Sequence, residues 1–126
     1  MGQGFLVDTN AVIDTLNNSL PPNGRVFVAS LPVLISEITH IELLGWPNAS
    51  PLQLAPVNNF ISHATLLSID RAVVLKTIEI RQTQKIKLGD AIIAATALIH
   101  NLTLITRNTE DFSFIQGLSL INPHSL

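Results

Sequence analysis

The stretch FLVDTN, residues 5–10, runs three apolar side chains straight into an aspartate. A short apolar run bounded by polar residues reads as a buried strand, and one that ends in Asp8, Thr9 and Asn10 brings a carboxylate to the lip of a sheet. A charge is costly there unless something binds it. Working outward, apolar runs and helical stretches alternate along the chain. The pattern predicts strands at about 5–8, 33–36, 65–69, 102–106 and 118–121. It predicts helices at about 10–17, 36–44, 51–63, 71–84 and 88–99, with a short helical turn near Asp111. Ser36 and Asp70 stand where helix caps belong, and Gly45, Trp46 and Pro47 stop the helix that Ser36 begins. Residues 25–29, RVFVA, have the composition of a strand. Strand and helix alternating in this way imply a parallel sheet with helices on both faces, and ligands collect beyond the carboxyl ends of such strands.

Composition bounds the function. A chain of 126 residues fits one domain, 1–126, with no linker, repeat or low-complexity break. No apolar run approaches the ~18 residues of a membrane span. No basic residue precedes the first apolar run, so nothing in the sequence directs export. Cysteine is absent, which removes disulfide frameworks and thiolate zinc sites and suits a reducing compartment, with cytoplasm as the default expectation. A net charge of −2 excludes a generic basic nucleic-acid binder. Lys85 and Lys87 nevertheless lie just before Asp90, and Arg107 just before Asp111. Bases that could hold phosphates beside acids that need a metal would look like this, although mixed surface charge reads the same way for any single residue.

Four of the nine acids are hard to explain by solvation. Asp8 and Asp111 each follow a strand segment. Glu42 lies within ITHIELLG, where partial burial is expected among Ile38, Ile41, Leu43 and Leu44. Asp90 opens the apolar helix AIIAATALI, whose positive end would favour the ionised form. Taken singly, Asp8 reads as a helix cap, Asp90 as an ordinary first-turn residue, and Glu42 as a buried partner of an arginine. Taken together, carboxylates in one pocket repel each other unless a cation neutralises them, and that crowding would hold at least one of them protonated at a raised pKa. Oxygen donors imply Mg²⁺ or Mn²⁺. Zinc is disfavoured because His40, His63, His100 and His124 are widely separated. Asp14, Glu37, Glu79 and Glu110 read as solvated charges, and Trp46 as a packing residue. No Walker loop, nucleophile elbow or aromatic base-stacking platform is present.

Four motifs then stand in order: LVDTN, THIELLGWP, KLGDAIIAATA and LITRNTEDF. In sequence and spacing they resemble the PIN-domain family, and within it the single-domain branch that contains VapC-type toxins. The resemblance covers nearly the whole chain and implies a three-layer α/β/α domain with a central parallel sheet and metal-dependent ribonuclease activity. It assigns the acidic, metal-holding set to Asp8, Glu42, Asp90 and Asp111, with Thr9, Asn10, Thr106 and Asn108 as supporting polar residues. It also favours a helix over residues 25–29, against their composition. Where the family has proline in its third motif, this chain has Gly89. By the same resemblance the chain would be a dimer paired with a small antitoxin, and RNA would be the substrate. From their proximity in sequence to Asp90 and Asp111, and not from the resemblance, Lys85, Lys87 or Arg107 would neutralise the neighbouring RNA phosphates. Charged residues at 13%, against a typical ~25%, and apolar Leu43, Leu44 and Trp46 fit a surface that a partner covers, although Leu43 and Leu44 would equally fill the core. The competing readings are a PIN-fold module that binds without cutting, a metal-dependent phosphatase, which would want aspartate where Asn10 stands, and a receiver domain, which would want adjacent acids near the first strand.

Overall fold

A computed structural model describes residues 4–126; the first three residues of the expected 1–126 domain lie outside the described ones. Five strands form one sheet: β1 (Phe5–Val7), β2 (Leu34–Ser36), β3 (Thr65–Leu67), β4 (Thr103–Ile105) and β5 (Leu120–Ile121). All neighbours pair in parallel, in the order β3-β2-β1-β4-β5. The helices are α1 (Thr9–Leu16), α2 (Pro22–Ala29), α3 (Glu37–Leu44), α4 (Pro51–Ser62), α5 (Arg71–Thr83) and α6 (Leu88–Ile99).

The period of two along a strand divides the core between the faces of the sheet. Leu6 and Leu104 point to a cluster with Val73 and Ile80 of α5, the whole apolar run of α6, and Phe112 and Ile115. Val7, Ile35 and Ile105 point the other way, to Ala11 and Val12 of α1, Val28 of α2, Leu43 of α3 and Val57 of α4. Two helical layers therefore enclose the sheet, as expected. The short apolar strands are the consequence: a strand covered on both faces needs no polar alternation.

Residues 25–29 lie in α2, so the composition reading as a strand is overruled. Pro22 begins the helix at a position where its missing N–H costs nothing, and Val28 is the side chain that reaches the core. Ser36, Ser50 and Asp70 each cap a following helix with a side-chain oxygen. One element has no counterpart in the sequence reading, a 3₁₀ turn at Pro123–Ser125. It packs on α2, where the carbonyl oxygen of Pro123 occupies the space a Cβ on Gly24 would need. Alanine at Gly24 would favour the helix by up to about 1 kcal/mol, but the clash is with backbone and not with a movable side chain. Gly24→Ala should therefore lower unfolding stability by roughly 1–3 kcal/mol in urea titrations. A gain in stability would mean that the turn does not sit against α2.

Candidate active site

In this strand order the chain works outward from β1 to β3, then returns to the other side of β1 as β4. The reversal opens a crevice beyond the carboxyl ends of β1 and β4. Val7 pairs with Ile105, so the next residues, Asp8 and Thr106, face each other across that crevice. The Thr106 hydroxyl donates to Asp8 Oδ2 at 2.7 Å, and both residues are buried. The Asn10 amide donates to the same oxygen at 2.9 Å, and the Thr9 backbone N–H donates to Oδ1 at 2.8 Å. Asp8 is thus the cap of α1 and also the carboxylate at the lip of the sheet; the two readings of it do not compete.

Burial pushes the Asp8 carboxyl up to about 6 from an ordinary 3.8. The bonds from Thr106 and Thr9 oppose that rise, while Asp90 and Glu42 add to it. Asp90, in the first turn of α6, is also raised, chiefly by burial, then by Asp111, with Lys87 opposing and Glu42 adding. Despite its place in the first turn of α6, the Asp90 carboxyl is raised and not lowered, because burial and neighbouring acids dominate. These couplings bring all four acids to one region. They do not converge on a point: among the described residues no three acidic or histidine side chains lie close enough to share an ion.

Glu42 departs from expectation. It is exposed, because α3 turns only a narrow stripe, Thr39 and Leu43, fully inward. Its position is fixed from the side, by a 2.6 Å hydrogen bond from the Thr9 hydroxyl, which also lies 3.0 Å from the Thr39 hydroxyl. Gly89 leaves room for it: a Cβ there would stand 2.7 Å from Glu42 Oε2. Asp111 is exposed on a 3₁₀ turn, Thr109–Asp111, that follows β4. Asn108 precedes that turn, and its backbone N–H donates to the Thr106 hydroxyl at 3.1 Å. All four supporting residues, Thr9, Asn10, Thr106 and Asn108, therefore belong to one network around Asp8. Lys85 and Lys87 are exposed, and Lys87 is close enough to be felt by Asp90.

One acid was misjudged from sequence. Asp14 is not a solvated charge: it is buried, and its two oxygens take Arg107 Nη1 at 2.7 Å and His124 Nε2 at 2.8 Å. Arg107 is paired through one guanidinium nitrogen with Asp14. The available signal was the spacing of Asn10 and Asp14, one helical turn apart on the same face as the site. The buried Thr39 was also missed; it carried no charge to mark it.

A family model for the PIN domain matches residues 5–117, and the chain belongs to the PIN-domain family. Within that family it is similar to VapC-type toxins. It is 29% identical over 123 residues to a tRNA(fMet)-specific endonuclease VapC from Shigella flexneri, a match covering 90% of this chain and 93% of the relative. Among solved structures it resembles a toxin–antitoxin complex from Klebsiella pneumoniae, at 34% identity and a TM-score of 0.75, covering 95% of this chain and 98% of that one. It also resembles DNA-bound VapBC from Salmonella typhimurium, at 29% identity and a TM-score of 0.82, covering 96% and 98%.

The raised Asp8 carboxyl has a consequence for stability. Between its ordinary and folded values the folded chain holds a proton that the unfolded chain releases, so this contribution is complete below about pH 4 and is lost as pH rises through about 6. In EDTA, unfolding stability should rise by roughly 1–1.5 kcal/mol through this group as pH falls from about 7.5 to about 5. Urea titrations of wild type and Asp8→Asn isolate the term as the difference in slope. Parallel pH profiles would contradict the burial argument.

Proposed function

We propose that this chain is a divalent-metal-dependent endoribonuclease acting as the toxin of a type II toxin–antitoxin pair, with Asp8, Glu42, Asp90 and Asp111 as its acidic centre. The observation that carries this is Asp8: a buried carboxylate at the switch point of the sheet, hydrogen-bonded to Thr106 and Asn10 and electrostatically coupled to Asp90 and Glu42. Such crowding is unfavourable in isolation and fits a cation-binding role. Only oxygen donors are present, which suits Mg²⁺ or Mn²⁺. Because no three acids converge, the ion would rely on water for much of its shell, as Mg²⁺ commonly does. When bound, it would supply an activated water and neutralise charge on the phosphodiester.

The chain's own residues have separable tasks in this reading. Thr106 and Asn10 keep Asp8 oriented and lower the cost of its ionisation. Thr9 holds Glu42 across the mouth, with Gly89 leaving the space. Asp90, set in the first turn of α6, links the field of Asp8 to that of Asp111. Lys87 opposes the repulsion at Asp90 and would meet a phosphate.

The relative from Shigella flexneri is named for cutting tRNA(fMet), which makes that RNA the first substrate to test. The toxin–antitoxin and VapBC complexes support an antitoxin partner. A cleft of about 430 Å³ beside Glu42, walled mainly by Ile13, Leu16, Leu43, Trp46 and Val57, offers that partner apolar contact. Leu43 is itself buried, whereas Trp46 is exposed and reads as contact surface more than as core. A homodimer completes the proposal. No helix is long and apolar enough among the described residues to cross a membrane. A module that only binds would have no use for the crowding at Asp8. The phosphatase reading fails at Asn10, whose amide donates to Asp8 where a second carboxylate would be wanted.

Purified protein should cut tRNA(fMet) with Mg²⁺ or Mn²⁺ and stop with EDTA. Asp8→Asn and Asp90→Asn should each lower the rate by roughly a hundredfold or more, while Glu79→Gln should not. Equal rates in the aspartate variants, followed on a denaturing gel, would overturn the assignment.

A further inference from the structure

The Asp14–Arg107–His124 cluster lies one helical turn from the acidic centre and is not needed to hold a metal. Asp14 is on α1, Arg107 follows β4, and His124 belongs to the 3₁₀ turn beyond the residues matched by the family model. The cluster is asymmetric in its exposure. The side chain of Asp14 is 5% exposed, and that of Arg107 is 47% exposed. A buried carboxylate grips one guanidinium nitrogen while the rest of the fork remains open to solvent. Among the described residues, Nη1 is the only guanidinium nitrogen of Arg107 with a hydrogen-bond partner.

The backbone of Arg107 is fixed as firmly as its side chain. Its N–H donates to Asn10 Oδ1 at 3.1 Å, and its carbonyl accepts from the Asn122 amide at 3.4 Å. Asn10 also donates to Asp8, so one short chain of bonds sets the guanidinium relative to the catalytic carboxylate. His124 takes the second oxygen of Asp14, so both oxygens of that carboxylate are hydrogen-bonded. Arg107 also borders a polar cleft of about 300 Å³ with Asn108, Thr109, Glu110, Asp111 and Asn122.

Such an arrangement answers a problem the acidic centre creates. Four acids repel a phosphate chain, and a flexible arginine beside them would pair with Asp111 instead of with substrate. A guanidinium held from behind by a buried carboxylate keeps its remaining N–H donors available in a fixed fork, the geometry that suits a phosphate. We propose that Arg107 binds a backbone phosphate of the RNA in the cleft beside Asp111, and that Asp14 is a positioning residue that holds it there, with His124 completing the hold. This rests on RNA being the substrate, and it adds a specific phosphate contact and its anchor.

The test is metal-free binding of fluorescein-labelled tRNA(fMet), followed by anisotropy in EDTA across a salt series, so that binding is read without cleavage. Arg107→Gln should weaken binding roughly tenfold near physiological salt and reduce the slope of log affinity against log salt by about 0.7–0.9. Asp14→Asn is the discriminating variant. It removes a negative charge, so general electrostatics would strengthen binding, whereas loss of the anchor should weaken it several-fold. Folding of each variant is checked by circular dichroism. If Asp14→Asn does not fold, Asp14→Glu, which keeps the charge and moves the carboxylate, takes its place with the same expected weakening. Wild-type affinity and slope in Arg107→Gln would overturn the phosphate contact, and unchanged or tighter binding in the Asp14 variant would overturn the anchor. A wild-type protein that cuts the RNA while Arg107→Gln binds normally overturns this inference alone. One that neither binds nor cuts overturns the ribonuclease reading with it.

Discussion

The hydrogen bond from the Thr106 hydroxyl to Asp8 is the contact on which the site depends. It joins the ends of two adjacent parallel strands at the one place where the strand order reverses, and it lies in a buried setting. Its geometry follows from register: with Val7 opposite Ile105, the following residues have to meet. Asn10 and Asn108 reinforce the same two side chains from either side. The carboxylate is therefore held in one orientation by elements whose cores lie on both faces of the sheet, while the outer acids come from α3 (Glu42), the first turn of α6 (Asp90) and the 3₁₀ turn after β4 (Asp111). Burial makes Asp8 a weak acid, and the donors around it limit how weak it becomes.

Much of this was legible in the sequence, for reasons that differ by residue. Asp8 and Asp90 were recognisable because a charge beside an unbroken apolar run has few places to go. The strands and α6 were recognisable because full burial leaves long apolar stretches. For residues 25–29 composition alone pointed to a strand and the family resemblance to a helix; a proline start and contacts from the turn at Pro123–Ser125 decide for the helix. Glu42 misled for a different reason. Apolar neighbours in sequence do not bury a residue when its helix turns only Thr39 and Leu43 fully inward. Asp14 was the largest omission, since its partners, Arg107 and His124, lie 93 and 110 positions away and no local pattern joins them.

The division of labour among the charges bears on specificity. The protein carries few bases, and Lys76 is already paired with Glu79. A site of this kind gains little from a diffuse positive field, so its hold on RNA would come from a small number of fixed contacts and from the metal itself. That distinguishes it from basic nucleic-acid binders, whose affinity depends on many interchangeable phosphates. Under the proposed function, an antitoxin would have a simple means of control, because a single cation from it could satisfy the same acids that a metal would.

Under the proposed metal-dependent function, Asp8 stays partly protonated until a metal ion displaces the proton. Isothermal titration calorimetry of Mn²⁺ binding near pH 6, repeated in buffers of different ionisation enthalpy, measures this directly. With the Asp8 carboxyl at about 6, binding should release about half a proton per site through that group, so the observed heat should vary linearly with buffer enthalpy, and Asp8→Asn should lose that share. A heat of binding that is independent of buffer would contradict the account.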